Sequence, residues 1–578
     1  MAAPVAGLKP RPGELHRQPV WHHAPVPCRR ARLAVVAALS IRLPRLVAGV
    51  LVLCLAPALA RADLLSAVVS AQGAGWPMPQ GFLGVSVEYP ALHAYTGSDP
   101  RAIDPALLGL LRGLSDGGPP VIRVGGDSTD SSFVPTRAAA GGGGLSYRIT
   151  PDWLRTTGAL AADLDARLIL GINLAASSAA IAAAEGRALV RAIGVGHIAA
   201  LEIGNEPDLY GTFPWYVDAR GRVHRARARS FSLADYEQQF RRWAAVLPRV
   251  PLAGPALSGP AWMRGLSAFV ARAPRLAIVT YHRYPLRACQ RNPRAAGYPS
   301  IPNLLAARSS AALAAGLAGY VRIAHRRGLQ FRVDELNSAS CEGARGVSDT
   351  FASALWALNT LFELASVGVD GVNFHTLPGA AYELFGVSRT PRGVWQASVR
   401  PEYYGLEMFA QAFPPGARLE TVRGPGGPVS VWATLAPDGT ERVTLINEDP
   451  LAEHNVAVAI GQAQAPGGSG QAPTGSGQAP GGSGQAPASS GQAPGGSGGA
   501  PLGALELLLA PSLRSTTGVT LGGQTFGAQT ETGVLPPPQT YPVAPTGDVY
   551  TVSMPPASAA LLTIPAASGQ ATPQTPVR

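Results

Sequence analysis

Two short stretches carry the residues most able to do chemistry. LEIGNEPDLY (201–210) runs a hydrophobic segment into Asn205, Glu206 and Asp208, and FRVDELNS (331–338) does the same with Asp334 and Glu335. Pro207 has no amide hydrogen for a strand ladder and restricts the residue before it, so Glu206 is expected extended at a strand end, its side chain pointing off that end. Alone it would be a solvated strand cap. Two carboxylates flanking one site are instead the requirement for glycoside hydrolysis: one protonates the leaving oxygen, the other attacks the sugar carbon or activates water. At a separation of about 5–5.5 Å the second is a nucleophile and the anomeric configuration is retained. Glu206 is then the expected acid/base, its pKa raised by the negative charge of Glu335. Asn205 is placed to bind a hydroxyl beside the reacting carbon, and Tyr281 or Tyr284 to hold Glu335.

The elements that must position these groups are legible as punctuated apolar runs. GFLGVSVEY (81–89), PVIRVGGDS (120–128), ARLILGINL (166–174), IAALEIGNE (198–206), PLAGPALS (251–258), LAIVTYHRY (276–284), QFRVDELNS (330–338) and GVDGVNFHT (368–376) are eight candidate strands. They are rich in Val, Ile and Leu rather than alternating, as strands covered on both faces are. Amphipathic stretches between them, such as PALLGLLRGL and PDWLRTTGALAADL, complete a (β/α)₈ barrel over 81–416, closed by a helix at PEYYGLEMFAQAF (401–413). Catalytic groups of such a barrel stand at the C-terminal strand ends. Those ends carry Glu88, Arg123, Asp127, Asn173, Asn205, Glu206, Tyr281 to Tyr284, Glu335 and His375. Arg123 and Asp127 fit an ion pair bracing the barrel as well as they fit substrate contact. His282 and His375 fit satisfied core histidines equally well.

After residue 417 the pattern changes to short strands with turns: VSVWATLA, RVTLINE, AVAI, LELLLAPSL, VTLGGQTF, VYTVSM and AALLTI. These predict a C-terminal antiparallel β-sandwich over 417–570. LLSAVVSAQ, within an N-terminal stretch at 63–80, is expected to add a strand to it. Inside this region, within 461–501, five copies of a seven-residue Gly/Pro/Gln/Ser unit (463–497) cannot bury a core and are expected to be a surface insertion.

The formal charge of +11 is concentrated at the start. Residues 1–60 hold Lys9 and seven arginines against Glu14 alone, a local +8 − 1 = +7. An apolar segment with small residues at 58, 60 and 62 follows, the pattern of a secretory signal peptide (1–62). Export to the periplasm or medium is therefore expected, with no stable membrane insertion after cleavage. The remaining charge is spread thinly, so no nucleic-acid partner is expected. No cofactor is indicated, nor any metal site, because the histidines lack ligand spacing and Gly141–Gly144 lacks the Lys-Ser/Thr of a phosphate loop. Cys289 and Cys341, the two cysteines beyond the leader, fit a disulfide in an exported protein, or two separate buried thiols.

Together GFLGVSVEY, VIRVGGDSTD, LILGINL, LEIGNEPDLY, HRYPL, FRVDELNSASC, GVSDTFASALWALNTLFELA, GVNFHT and RPEYYGLEMF resemble the heparanase-like β-glucuronidases (glycoside hydrolase family 79). DELNSASC brings the likeness closer to the bacterial exo-acting type, and SLRSTTGVTLGGQTF and ASAALLTI extend it into the sandwich. The resemblance implies a retaining exo-β-glucuronidase with Glu206 as acid/base and Glu335 as nucleophile, acting on a glucuronide or glucuronate-containing oligosaccharide. It further implies a subsite for the uronate carboxylate, with Tyr382 the best match and Gly379 beside it. Glu88 would bind sugar hydroxyls, and Asp127, Asn205, Tyr281 and Tyr284 complete the substrate-binding set. A Cys289–Cys341 disulfide would tie two active-site loops. An endo-acting heparanase-like hydrolase is the alternative, and a non-catalytic carbohydrate-binding protein a more distant one.

Overall fold

A computed structural model describes residues 64–70, 75–115, 118–136, 141–424, 426–461 and 500–566. The leader and the 463–497 repeat lie outside the described residues. The eight predicted strands form a closed parallel barrel: β1 (Leu83–Glu88), β2 (Val121–Gly125), β3 (Arg167–Ile172), β4 (Ile198–Ile203), β5 (Leu252–Leu257), β6 (Leu276–Arg283), β7 (Gln330–Leu336) and β8 (Gly371–Thr376). Neighbours pair in chain order and β8 closes on β1, with Val372 opposite Leu83. The strands are apolar along most of their length because one side packs on the helices and the other fills the barrel. Ile169, Ala200, Ala253 and Ile278 form one small apolar cluster of four strands.

Side-chain alternation then turns a few polar positions toward a common centre. Ser86 on β1 lies opposite Arg123 on β2, and His282 on β6 lies opposite Glu335 on β7. The predicted helices occupy Pro105–Gly113, Pro151–Leu164 and Pro401–Ala412. Thr150 caps the second of these by accepting from the Trp153 amide, with Pro151 in the first turn, where its missing amide hydrogen costs nothing. Helix Phe351–Ser366 is apolar nearly all round, as a helix buried on all sides must be. It packs on the barrel and carries Phe362 against Trp432 of the β region, rings stacked at 5.4 Å.

Beyond the barrel, two sheets share a core that includes Ala67, Val69, Val443, Leu445, Val456, Tyr550 and Leu562. Among the described residues, pairing in these sheets is antiparallel with one exception: Leu64–Ser70 runs parallel to His454–Gly461, with Leu65 opposite Val456. Of the VTLGGQTF segment only Thr520–Leu521 is strand, because left-handed Gly522 and Gly523 turn the chain away. Among the described residues no helix is long and apolar enough to cross a membrane.

Candidate active site

The LEIGNEPDLY segment does not end as its sequence predicts. Strand β4 stops at Ile203, and Glu206 takes a left-handed conformation (φ 46°, ψ 52°) instead of an extended one. Pro207 disfavours only the right-handed helical region for its predecessor. The choice between the rest is made by contacts: the Glu206 amide donates to the Ala256 carbonyl at 2.9 Å, and its own carbonyl accepts from Leu209. Gly204 (φ 79°) starts the same turn, where a side chain would meet Tyr210 and Leu174. Asp208 then fastens the turn to the next strand's loop, accepting from the Ser258 and Gly259 amides at 3.1 and 2.9 Å. This geometry swings the Glu206 carboxylate over the barrel mouth.

Glu335 stands at the C-terminal part of β7 and both its oxygens are held. Tyr284 donates to Oε1 at 2.9 Å and Arg123 Nη1 to Oε2 at 2.7 Å. His282 Nδ1 lies between the two carboxylates, 3.1 Å from Glu206 Oε1 and 3.8 Å from Glu335 Oε2. One oxygen of Glu206 and one of Glu335 come within 4.8 Å of each other.

Their environments push them apart. Burial drives the Glu206 carboxyl above its ordinary range; His282 opposes this and the negative charge of Glu335 adds to it, so the neighbouring charge expected to dominate is the smaller cause. Burial also works against ionised Glu335, but His282, His375, Arg123 and the Tyr284 hydrogen bond outweigh it and hold that carboxyl well below its usual range. For His282, burial opposes the charged ring, yet Glu335, Asp334 and the Glu206 hydrogen bond carry it up to about 9. The Glu206 side chain is the more open of the two, 19 % against 10 % exposed.

Of the other predicted residues, Glu88 accepts from the amides of Asp127 and Ser128 at 3.0 and 2.8 Å, and also from the Ser128 hydroxyl. Left-handed Gly126 permits this close approach, because a Cβ there would collide with the Glu88 carboxylate. Asn205 bridges the mouth, its Oδ1 accepting from Arg123 Nη2 at 2.9 Å and its Nδ2 donating to Asp127 at 3.2 Å. Enclosure in the mouth and the charges of Glu88, Glu206 and Glu335 raise the Asp127 carboxyl well above its usual range, although its residue remains open to solvent. Tyr382 is buried with its ring 6.3 Å from Tyr284 and 5.8 Å from His375. Gly379, exposed in the same loop, touches neither carboxylate; its carbonyl accepts from Arg345.

Three expectations change. Tyr281 does not hold Glu335: it packs edge-on against Tyr320 and accepts from Arg283, so Tyr284 alone fills that role. Asn173 is buried beneath the site, donating to the Asp130 and Ser132 carbonyls. Arg123 pairs with Glu202 (2.8 Å), Asp334 (3.1 Å) and Glu335 (2.7 Å), not with Asp127. Glu202, absent from the expected set, and Asp334, expected only beside Glu335 at the strand end, are the buried partners of Arg123. Their signal is a carboxylate inside an otherwise apolar strand, IAALEI or FRVDEL, where only a buried partner can compensate its desolvation. His375 also joins the site, 3.1 Å from Ser86 and 3.9 Å from both Glu88 and Glu335. Cys289 and Cys341 are joined by a disulfide, Cα atoms 6.0 Å apart, linking the loops after β6 and β7. Those loops also pair as short strands, Leu286–Arg287 with Ala339–Ser340.

Two groupings, Glu202–His282–Asp334 and Glu206–His282–Glu335, have the spacing a cation could use. A single protein cation, the Arg123 guanidinium, is shared among three of these carboxylates, at 2.8 Å from Glu202, 3.1 Å from Asp334 and 2.7 Å from Glu335.

No known family profile matches the chain. It does have a sequence relative. The chain is 25 % identical over 414 residues to a β-glucuronidase of Aspergillus niger, spanning 65 % of this chain and 72 % of the relative. Among solved structures, a 4-O-α-L-rhamnosyl-β-D-glucuronidase from Fusarium oxysporum 12S matches with a TM-score of 0.61 and 18 % identity, covering 86 % of this chain and all of that one. A family 51 arabinofuranosidase from Xanthomonas axonopodis pv. citri matches with a TM-score of 0.58 and 13 % identity, covering 87 % and 99 %. The structural likenesses share the barrel-plus-sheet fold.

Proposed function

We propose that the protein is an exported retaining glycoside hydrolase that removes terminal β-linked glucuronic acid. The observation that carries this is the pair Glu206 and Glu335: carboxylate oxygens within 4.8 Å, one carboxyl raised and the other lowered. That proximity suits a nucleophile and an acid/base better than the wider spacing, about 6.5–9.5 Å, that admits a water between them. Protonated Glu206 gives its proton to the glycosidic oxygen while ionised Glu335 attacks the anomeric carbon, forming a glycosyl ester. Glu206, now ionised, takes a proton from the water that attacks this ester and releases the sugar. Arg123 and Tyr284 fix the Glu335 oxygens in the attacking orientation. The Asn205 amide, anchored by Arg123 and Asp127, has a hydrogen left to meet the sugar's 2-hydroxyl.

The likeness to the Aspergillus β-glucuronidase supports glucuronic acid as the sugar. Tyr382 and the adjoining loop amides are assigned to its carboxylate, and Glu88 to its hydroxyls. The DELNSASC likeness to bacterial exo-acting members of glycoside hydrolase family 79 supports terminal cleavage, and the basic, then apolar leader supports export. Hydrolysis of 4-nitrophenyl β-glucuronide beside the corresponding glucoside tests the substrate; turnover of neither defeats the assignment. For the roles, Glu335→Gln loses activity on every substrate by several orders of magnitude, whereas Glu206→Gln keeps turnover of substrates with activated leaving groups. Equal losses on an activated aryl glucuronide would contradict them.

A further inference from the structure

Below the two carboxylates the barrel holds a second acidic pair that the hydrolytic steps do not use. Glu202 on β4 and Asp334 on β7 are wholly buried. Arg123 Nε lies 2.8 Å from Glu202 Oε2 and 3.1 Å from Asp334 Oδ2. Among the described residues, Glu202 Oε1 receives no hydrogen bond, and neither Asp334 oxygen has a partner that meets hydrogen-bond geometry. Oxygens of the two carboxyls lie within 4.8 Å of one another.

The facing charges can be counted. Arg123 and His282 are the cations closest to the pair, with Arg332 below Asp334; the anions are Glu202, Asp334 and Glu335, and Tyr89 and Tyr236 face Glu202 as neutral phenols. Arg332 is already bound to Asn373 and to the Gly81 and Phe82 carbonyls. Two buried anions side by side, with oxygens lacking donors, carry a large desolvation cost that a single proton between them removes.

We propose that Glu202 and Asp334 share one proton, and that this singly charged pair is a positioning device that holds Arg123 against Glu335. The pair carries one negative charge whichever carboxyl has the proton, enough to anchor the guanidinium at Nε without competing for Nη1, which reaches Glu335. Burial and the Glu202 charge raise the Asp334 carboxyl well above its usual range, whereas Arg123 brings Glu202 below its own despite burial, in keeping with a proton resting on Asp334. The effect on turnover rests on the reading of Glu335 as nucleophile; the proton itself does not.

The test compares Glu202→Gln, Asp334→Asn and the double variant in the full chain. In infrared difference spectra against wild type, each single variant should lose a protonated-carboxyl band and no carboxylate, because the remaining member becomes the anion. The double variant should lose one of each. Loss of a carboxylate band in Asp334→Asn or Glu202→Gln would overturn the shared proton, whatever the enzyme hydrolyses. In kcat/KM on an aryl glucuronide, each single variant should lose about threefold and the double about a hundredfold, with the acid limb of its pH profile displaced, far beyond the product expected of independent sites. Additive losses with an unmoved limb, in variants with wild-type melting temperature, would overturn the positioning role.

Discussion

Replacing Tyr284 with phenylalanine removes one hydroxyl, which donates to Glu335 Oε1 at 2.9 Å. A hydrogen bond to a charged acceptor is worth about 1.5–3 kcal/mol. At about 1.4 kcal/mol per pH unit, its loss should raise the Glu335 carboxyl by about one to two pH units. The sign follows from what the hydroxyl does: it stabilises the carboxylate, which His282, His375 and Arg123 also hold below its ordinary range. In the wild type Glu335, the proposed nucleophile, is therefore held ionised well below neutral pH. In Tyr284→Phe the acid limb of kcat/KM should move upward by about one to two pH units, while the alkaline limb, which the proposed acid/base role gives to Glu206, stays in place. Initial rates on 4-nitrophenyl β-glucuronide across the acid range measure both limbs, and thermal melting confirms the fold. An unmoved acid limb with a lower rate at neutral pH would refute the reasoning, placing Tyr284 on the substrate instead of on Glu335.

Burial pushes Glu407 and Glu441 up to about 8 and Glu506 to about 7. Carboxyls raised in the folded state contribute stability that is complete below their unfolded values and lost as pH rises through the folded ones. The melting temperature should accordingly fall between about pH 5 and pH 8, and Glu407→Gln should flatten the decline; a melting temperature constant over that window would contradict this. Removing the Cys289–Cys341 bridge, with a sequence separation of 52, should destabilise the fold by about 4 kcal/mol in the chain-entropy account, seen as a lower denaturation midpoint for Cys289→Ser. Asp208→Ala unfastens the turn that aims Glu206 from the Ser258 and Gly259 amides, and should lower kcat about tenfold while leaving KM within about twofold. A change in KM alone would show that Asp208 serves binding.

What the sequence determined by itself was whatever is local or periodic. Eight unalternating apolar runs, separated by amphipathic segments, admit few architectures other than a closed barrel, because each strand must be covered on both faces. Once strands are numbered, Glu206 and Glu335 follow as residues at the C-terminal side of the fourth and seventh. The tertiary structure decided what depends on partners distant along the chain. Glu206 is left-handed because Ala256, fifty residues on, accepts its amide hydrogen. Arg123 meets Glu202, Asp334 and Glu335 instead of nearby Asp127: alternation turns Arg123 and Glu202 inward, and an irregularity in the β7 pairing between Val333 and Leu336 lets the consecutive Asp334 and Glu335 both reach the same guanidinium. Tyr281 and Tyr284 have the same chemistry in one short segment; Tyr284 faces Glu335, and Tyr281 meets Tyr320 instead. Residue types set which chemistry is possible; the register of a closed sheet selects which groups meet, and burial sets which of them carry charge.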